Sequence, residues 1–387
     1  MNVKELDKEY VANTYNRFPI EIVSGSGALL KDENGKEYID MGAGIAVNTF
    51  GMADEGWVQA VTAQLTKFQH TSNLYYTEPC ARLAEMLCKR TGMKKVFFGN
   101  SGAEANECAI KAAREYGITK KGEEYYNIIT LKNSFHGRTL ATLAATGQDV
   151  FHEHFAPMPQ GFLYATANDC EALEAMVKEN KVCAIMFELV QGEGGVNALE
   201  QKFVEKIASL CAEHDLIMID DEVQCGNGRT GELYAYMHFG ITPDIVTTAK
   251  GLGAGLPIGA VMFSEKTADI YKPGLHGSTF GGNPVCAAGA CYTLSKLTPE
   301  FMAEVKEKAE YIKKELTNAP GIKSVSGMGL MMGIETEKKA SEVVSSAMEK
   351  GALLLTAKTK VRLLPPLNIG YEELAKAIEI IKEVCKI

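Results

Sequence analysis

Leu216-Ile217-Met218-Ile219-Asp220-Asp221-Glu222 and Ile245-Val246-Thr247-Thr248-Ala249-Lys250-Gly251 decide the fold. Each is a short apolar run that ends abruptly in polar residues. Apolarity without alternation marks a strand buried on both faces, as in a parallel sheet. Open α/β sheets bind ligands at the carboxyl ends of their strands. Asp221 and Lys250 therefore fall at one edge, an acid and an amine at the ends of neighbouring strands. Glycines at 251, 253 and 255 flank the lysine. Taken alone, a lysine is more often solvated surface. At this edge, however, an amine can form a Schiff base with an aldehyde, and an aspartate can hold a protonated pyridine nitrogen. That pairing is what pyridoxal phosphate chemistry requires.

Composition bounds the alternatives. A chain of 387 residues exceeds one typical core, so two domains are expected. A net charge of -9 leaves no basic footprint for nucleic acid. No apolar run reaches membrane-spanning length. Met1 to Tyr10 is charged and lacks an apolar signal core, which points to the cytoplasm. The 10 cysteines include no C-x-x-C pair and read as small buried hydrophobes of a reducing compartment. His152-Glu153-His154 is too short for a helical zinc motif, so no metal is expected.

Outward from the centre, strands and helices alternate. Gly25, Gly27 and Asn34-Gly35 mark turns of a small N-terminal meander. Leu83, Met86 and Leu87 are spaced as one face of a helix. Val96-Phe97-Phe98 predicts a strand running into Gly99-Asn100-Ser101-Gly102-Ala103-Glu104, with a capping-box pattern at Ser101 and Glu104 and a strong helix former behind it. Strand, glycine turn and helix start together make an anion site, although a plain helix cap explains the same letters. Asn127 to Leu131 is the next strand. Phe135-His136-Gly137-Arg138 follows, where an aromatic ring could stack on a planar group and an arginine could hold a carboxylate. Cys183 to Phe187 opens into Glu188 and Glu193 among glycines, either a site or a charged surface turn. Beyond Lys250 come a strand at 258–263, a polar segment at 276–284, helices, and strands at 327–334 and 361–364. Arg362 is a second candidate carboxylate holder.

Six of these motifs, in this order and at this spacing, resemble the subgroup III aminotransferases of the aspartate-aminotransferase fold, over nearly the whole chain. The resemblance implies an α/β, fold type I pyridoxal-phosphate-dependent transferase. Its large domain, residues 46–296, would hold a mostly parallel seven-stranded sheet. A smaller α/β domain would be built from both termini, 1–45 and 297–387. The resemblance also implies roles. Lys250 is the Schiff-base lysine, and Asp221 pairs with the pyridine nitrogen. Val223 and Phe135 pack on the two ring faces, with Gln224 near the ring hydroxyl. Ser101, Gly102 and Ala103 bind the phosphate. Thr279 reaches the phosphate of a partner subunit's cofactor, which implies a homodimer with sites at its interface. Tyr15, Arg138 and Ser278 contact substrate. Arg362 takes the second carboxylate, and Glu193 masks it. Leu189 departs from the proline that many members carry there. The substrates implied are small molecules, an ω-amino donor and 2-oxoglutarate. A cofactor-free Schiff-base aldolase would give Asp221 no role. A non-catalytic protein would need a degraded site, and none is seen.

Overall fold

The computed structural model describes residues 1–386. Its centre is a seven-stranded sheet. In spatial order the strands are Lys95–Gly99, Gly259–Phe263, Ile245–Thr248, Ile217–Asp221, Val182–Phe187, Asn127–Leu131 and Phe162–Ala165. Only Gly259–Phe263 runs antiparallel to its neighbours, so the sheet is the mostly parallel one expected. Val182–Phe187 and Ile217–Asp221 are buried at every position, which is why their sequences are apolar without alternation.

Alternation still decides which face each residue serves. Ile217 and Ile219 join one apolar cluster with Ala105, Cys108, Ala109 and Ala112 of the helix Gly102–Lys121. Met218 joins the other, with Phe203, Ile207 and Leu210 of the helix Gln201–Glu213. Full burial of a side chain as large as Phe203 or Leu210 contributes about 1.5–3 kcal/mol. By the same period-2 rule Asp221 faces the Gly102–Lys121 helix, and Asp220 and Glu222 face away from it.

Two smaller four-stranded sheets flank this core. One joins Ile22–Ser26, Leu29–Asp32 and Glu37–Asp40 to the distant strand Ala352–Leu353. The other is antiparallel and holds Ile322–Met328, Met331–Thr336, Lys360–Leu363 and Leu355–Ala357. Two local expectations need correction. Gly25 lies inside the first strand, paired with Leu30, rather than at a turn, and glycine is needed there because an added Cβ would sit 2.7 Å from Met52. The 327–334 stretch is a hairpin, not one strand: Gly329, at φ +56, turns the chain between Ile322–Met328 and Met331–Thr336. Among the described residues no helix is long and apolar enough to cross a membrane.

Candidate active site

Five strand ends converge on one cavity of about 600 Å³. Asn100, Ser101, Gly102 and Ala103 reach it from the end of Lys95–Gly99, and Phe135, His136 and Arg138 from the end of Asn127–Leu131. Glu188 arrives from Val182–Phe187, Asp221, Val223 and Gln224 from Ile217–Asp221, and Lys250 from Ile245–Thr248. The start of the antiparallel strand supplies Pro257 and Ile258. Tyr15 comes from the N-terminal loop.

The Ser101 hydroxyl accepts the Glu104 N–H at 3.2 Å and caps the helix Gly102–Lys121. The box is offset by one residue, because Glu104 reaches back to the Asn100 N–H instead of that of Ser101. The first-turn N–H groups of Gly102 and Ala103 are left without intrahelical acceptors at the positive end of a 20-residue helix. Gly102 is required there: a Cβ would lie 2.6 Å from Val223.

Lys250 starts a single turn of 3₁₀ helix at φ +41. A non-glycine residue held in that region stores strain, a recurrent mark of functional sites. Desolvation pulls the Lys250 amine below the usual lysine pKa, with Arg362 adding to this and Glu193, Asp221 and Glu188 opposing it. A larger neutral fraction near pH 7 makes it a better nucleophile and base. Asp221 is 2 % exposed and accepts three hydrogen bonds: from Asn106 Nδ2 at 2.7 Å, His136 Nδ1 at 2.7 Å and the Val223 N–H at 3.0 Å.

Arg362 and Glu193 meet at 2.5 Å, at 4 % and 30 % side-chain exposure. Burial works against ionisation of Glu193, but the Arg362 charge overrides it and holds the carboxyl below its usual range. Gln224 bridges the pair: its Oε1 accepts from Arg362 at 3.3 Å and its Nε2 donates to Glu193 at 3.5 Å. Gly192 makes room, since a Cβ there would lie 2.1 Å from the Gln224 Oε1. Arg138 carries no carboxylate partner among the described residues. Its guanidinium stacks 4.3 Å from the Phe151 ring centroid and 5.6 Å from that of Phe135.

This arrangement, an amine and a carboxylate facing one slot with an anion site at its end, is matched by the family model for class-III aminotransferases, which covers residues 10–385. The chain is a class-III aminotransferase. Across 99% of its length it is 49% identical to the acetylornithine aminotransferase of Haemophilus ducreyi, covering 98% of that protein. It is 41% identical to the succinylornithine transaminase of Salmonella enteritidis, with 98% and 95% covered. Among solved structures, the N-acetylornithine aminotransferase of Stenotrophomonas maltophilia matches with a TM-score of 0.85 at 34% identity, 98% of this chain and 97% of that one covered.

The family depends on pyridoxal 5′-phosphate, and the aminotransferase's own residues fit it. Lys250 suits an aldehyde, Asp221 a protonated ring nitrogen, and the helix start at Gly102 a phosphate. Of the residues expected from sequence, Tyr15, Ser101, Gly102, Ala103, Phe135, Arg138, Asp221, Val223, Gln224 and Lys250 line the one cavity. Glu193 and Arg362 join it through Gln224. Ser278 and Thr279 do not line it. They border a separate depression with Phe97, Gly99 and His276. Sequence reasoning missed Asn106, Thr247 and the contribution of His136. A polar residue near the start of an alanine-rich buried helix face was the available signal for Asn106. Among the described residues no cluster of three or more potential ligands could hold a metal ion.

Proposed function

We propose that this enzyme moves the δ-amino group of N2-acetyl-L-ornithine to 2-oxoglutarate, giving N-acetyl-L-glutamate 5-semialdehyde and L-glutamate, a step of arginine biosynthesis. The observation that carries the reading is the 49% identity over 99% of the chain to an enzyme so named, joined to an Arg362–Glu193 pair that Gln224 ties to the cavity. Bound pyridoxal phosphate supplies an aldehyde that accepts the donor's amino group and a ring that withdraws electrons from the reacting carbon. Lys250 would hold that aldehyde, and its buried amine, with a lowered pKa, would take and return the proton at the donor carbon. Asp221 would hold a protonated ring nitrogen, and Phe135 and Val223 would pack on the ring.

Substrate choice follows from the arginines. A donor that presents its terminal amine holds its α-carboxylate far from the ring, where Arg138 takes it bidentately. Arg362 has no carboxylate to hold at that stage, and an unpaired buried cation is costly, so Glu193 covers it. When 2-oxoglutarate binds, its α-carboxylate takes Arg362, its γ-carboxylate takes Arg138, and Glu193 moves aside.

Thr279 serves, in this reading, the cofactor site of a second copy in a cytoplasmic homodimer, and Ser278 contacts substrate. Support comes from the exposure of Thr279 and Phe280 and from Ser278, which lines a depression with the exposed Tyr75 and Tyr76. The division into a large domain at 46–296 and a small one built from 1–45 and 297–387 belongs to the same proposal. Succinylornithine is the second reading, favoured by the Salmonella relative. Initial rates with acetylornithine, succinylornithine, ornithine and 4-aminobutyrate, each with 2-oxoglutarate, test the proposal. Acetylornithine should give the highest kcat/KM, and a higher value for any of the others would replace it.

A further inference from the structure

Glu188, Asp220, Asp221 and Glu222 are buried together, at 4 %, 0 %, 2 % and 0 % exposure. Four negative charges cannot persist side by side in so dry a space, so some of these groups hold protons. Donors decide which. The Glu188 carboxyl accepts the Phe135 N–H at 2.9 Å, and the Glu222 carboxyl accepts the Tyr236 N–H at 2.9 Å. Both oxygens of Asp220 and Oε2 of Glu222 are buried without a partner. Those orphaned oxygens are accounted for if Asp220 and Glu222 share a proton, as burial and their mutual repulsion favour. Asp221 alone accepts three bonds, the setting that suits a carboxylate.

One of those three donors is conditional. The Asn106 side-chain amide could present its oxygen to Asp221 as readily as its nitrogen, and the oxygen would repel a carboxylate. The His136 carbonyl can only accept, so it fixes which end of the amide is the nitrogen, and Thr247 holds the other end. The buried Thr247 hydroxyl donates to Asn106 Oδ1 at 2.7 Å, which keeps Nδ2 toward Asp221. The second Nδ2 hydrogen goes to the His136 carbonyl at 2.8 Å, so no alternative orientation is left. Sheet register supplies the geometry: Thr247 pairs directly with Asp221 in the parallel ladder, so both side chains face the helix that carries Asn106. We propose that Thr247 and Asn106 are positioning residues that decide which of the four buried carboxyl groups carries the charge beneath the cofactor ring, by locking the Asn106 amide with its N–H groups toward Asp221.

The inference rests on the cofactor reading given above. The test uses purified holoenzyme of wild type, Thr247→Val, Thr247→Ser and Asn106→Leu. Three quantities are measured: the dissociation constant for pyridoxal phosphate, the midpoint of the pH titration of the bound cofactor's visible band, and the melting temperature of the apoprotein. Losing the Asn106 bond to Asp221 in Asn106→Leu, or the Thr247 bond that holds the amide in place in Thr247→Val, predicts cofactor binding weaker by about tenfold. A less protonated ring nitrogen withdraws fewer electrons, so the nitrogen joined to Lys250 keeps its proton longer, and the midpoint rises by about half a unit. Thr247→Ser, which keeps the hydroxyl, should restore both. Wild-type binding and midpoint in Thr247→Val would overturn the proposal. So would weakened binding with an unmoved midpoint, or a serine variant that behaves as the valine one. Should Asn106→Leu fail to fold, the Thr247 pair still decides. A wild type that binds no cofactor, or shows no borohydride capture at Lys250, would instead sink the cofactor site itself.

Discussion

Replacing Glu193 with glutamine tests the substrate logic most directly. The variant keeps the shape of the side chain and its contact with Gln224 but removes the charge facing Arg362. Breaking a fully buried pair costs about 3–5 kcal/mol, and breaking an exposed one about 0–1 kcal/mol. Here the cation is 4 % exposed and the anion 30 %, so the interaction falls between those limits, at about 2 kcal/mol. That energy opposes any substrate that must displace Glu193 to reach Arg362. L-glutamate as donor must do so, because its α-carboxylate lies next to its amine. Acetylornithine need not. The ratio of kcat/KM for acetylornithine to that for L-glutamate should therefore fall by about 30-fold, mostly through a gain with glutamate. Stopped-flow half-reactions followed at the cofactor band give both constants without a second substrate. A ratio that stays within about threefold of wild type would refute the gate, whatever happened to the absolute rates.

Two further outcomes are expected. Burial raises the Glu222 carboxyl to about 7 and moves Asp220 and Glu188 the same way. The unfolded chain therefore releases these protons first, near pH 4, and apoprotein stability should fall as pH rises from about 4 toward 7. Asp220→Asn should flatten that fall in urea midpoints measured across the range, and an unchanged slope would show that the pair shares no proton. Gly192→Ala drives a methyl group into the Gln224 amide, 2.1 Å away, and should raise the KM for 2-oxoglutarate by about tenfold with little change in melting temperature. An unaltered KM would mean that Gln224 takes no part in holding Arg362.

The strand-end acid and amine were legible because burial on both faces writes an uninterrupted apolar run, and its abrupt end names the residue at the sheet edge. The helix start at Ser101 was legible for a similar reason, since caps are local. Asn106 and Thr247 were not. They are separated by 141 positions, and each looks unremarkable until register and helix packing bring them together. The hairpin at 322–336 was hidden by composition: Gly329 turns the chain inside a run of methionine and leucine that reads as one strand. Ser278 and Thr279 sit in a polar stretch that sequence reasoning attached to the substrate site and to a partner subunit's cofactor; within the single chain they border a different depression.

The pairing of Glu37–Asp40 with Ala352–Leu353 has a consequence for synthesis. The N-terminal strands emerge from the ribosome first, but the strand that completes their sheet is translated roughly 310 residues later. At about 5–20 residues per second, that edge waits some 15–60 s with unpaired backbone groups. An open edge of that kind is a template for pairing with the wrong chain. Nascent copies of this enzyme should therefore depend on a chaperone holding the N-terminal strands until the carboxyl-terminal end of the polypeptide is released.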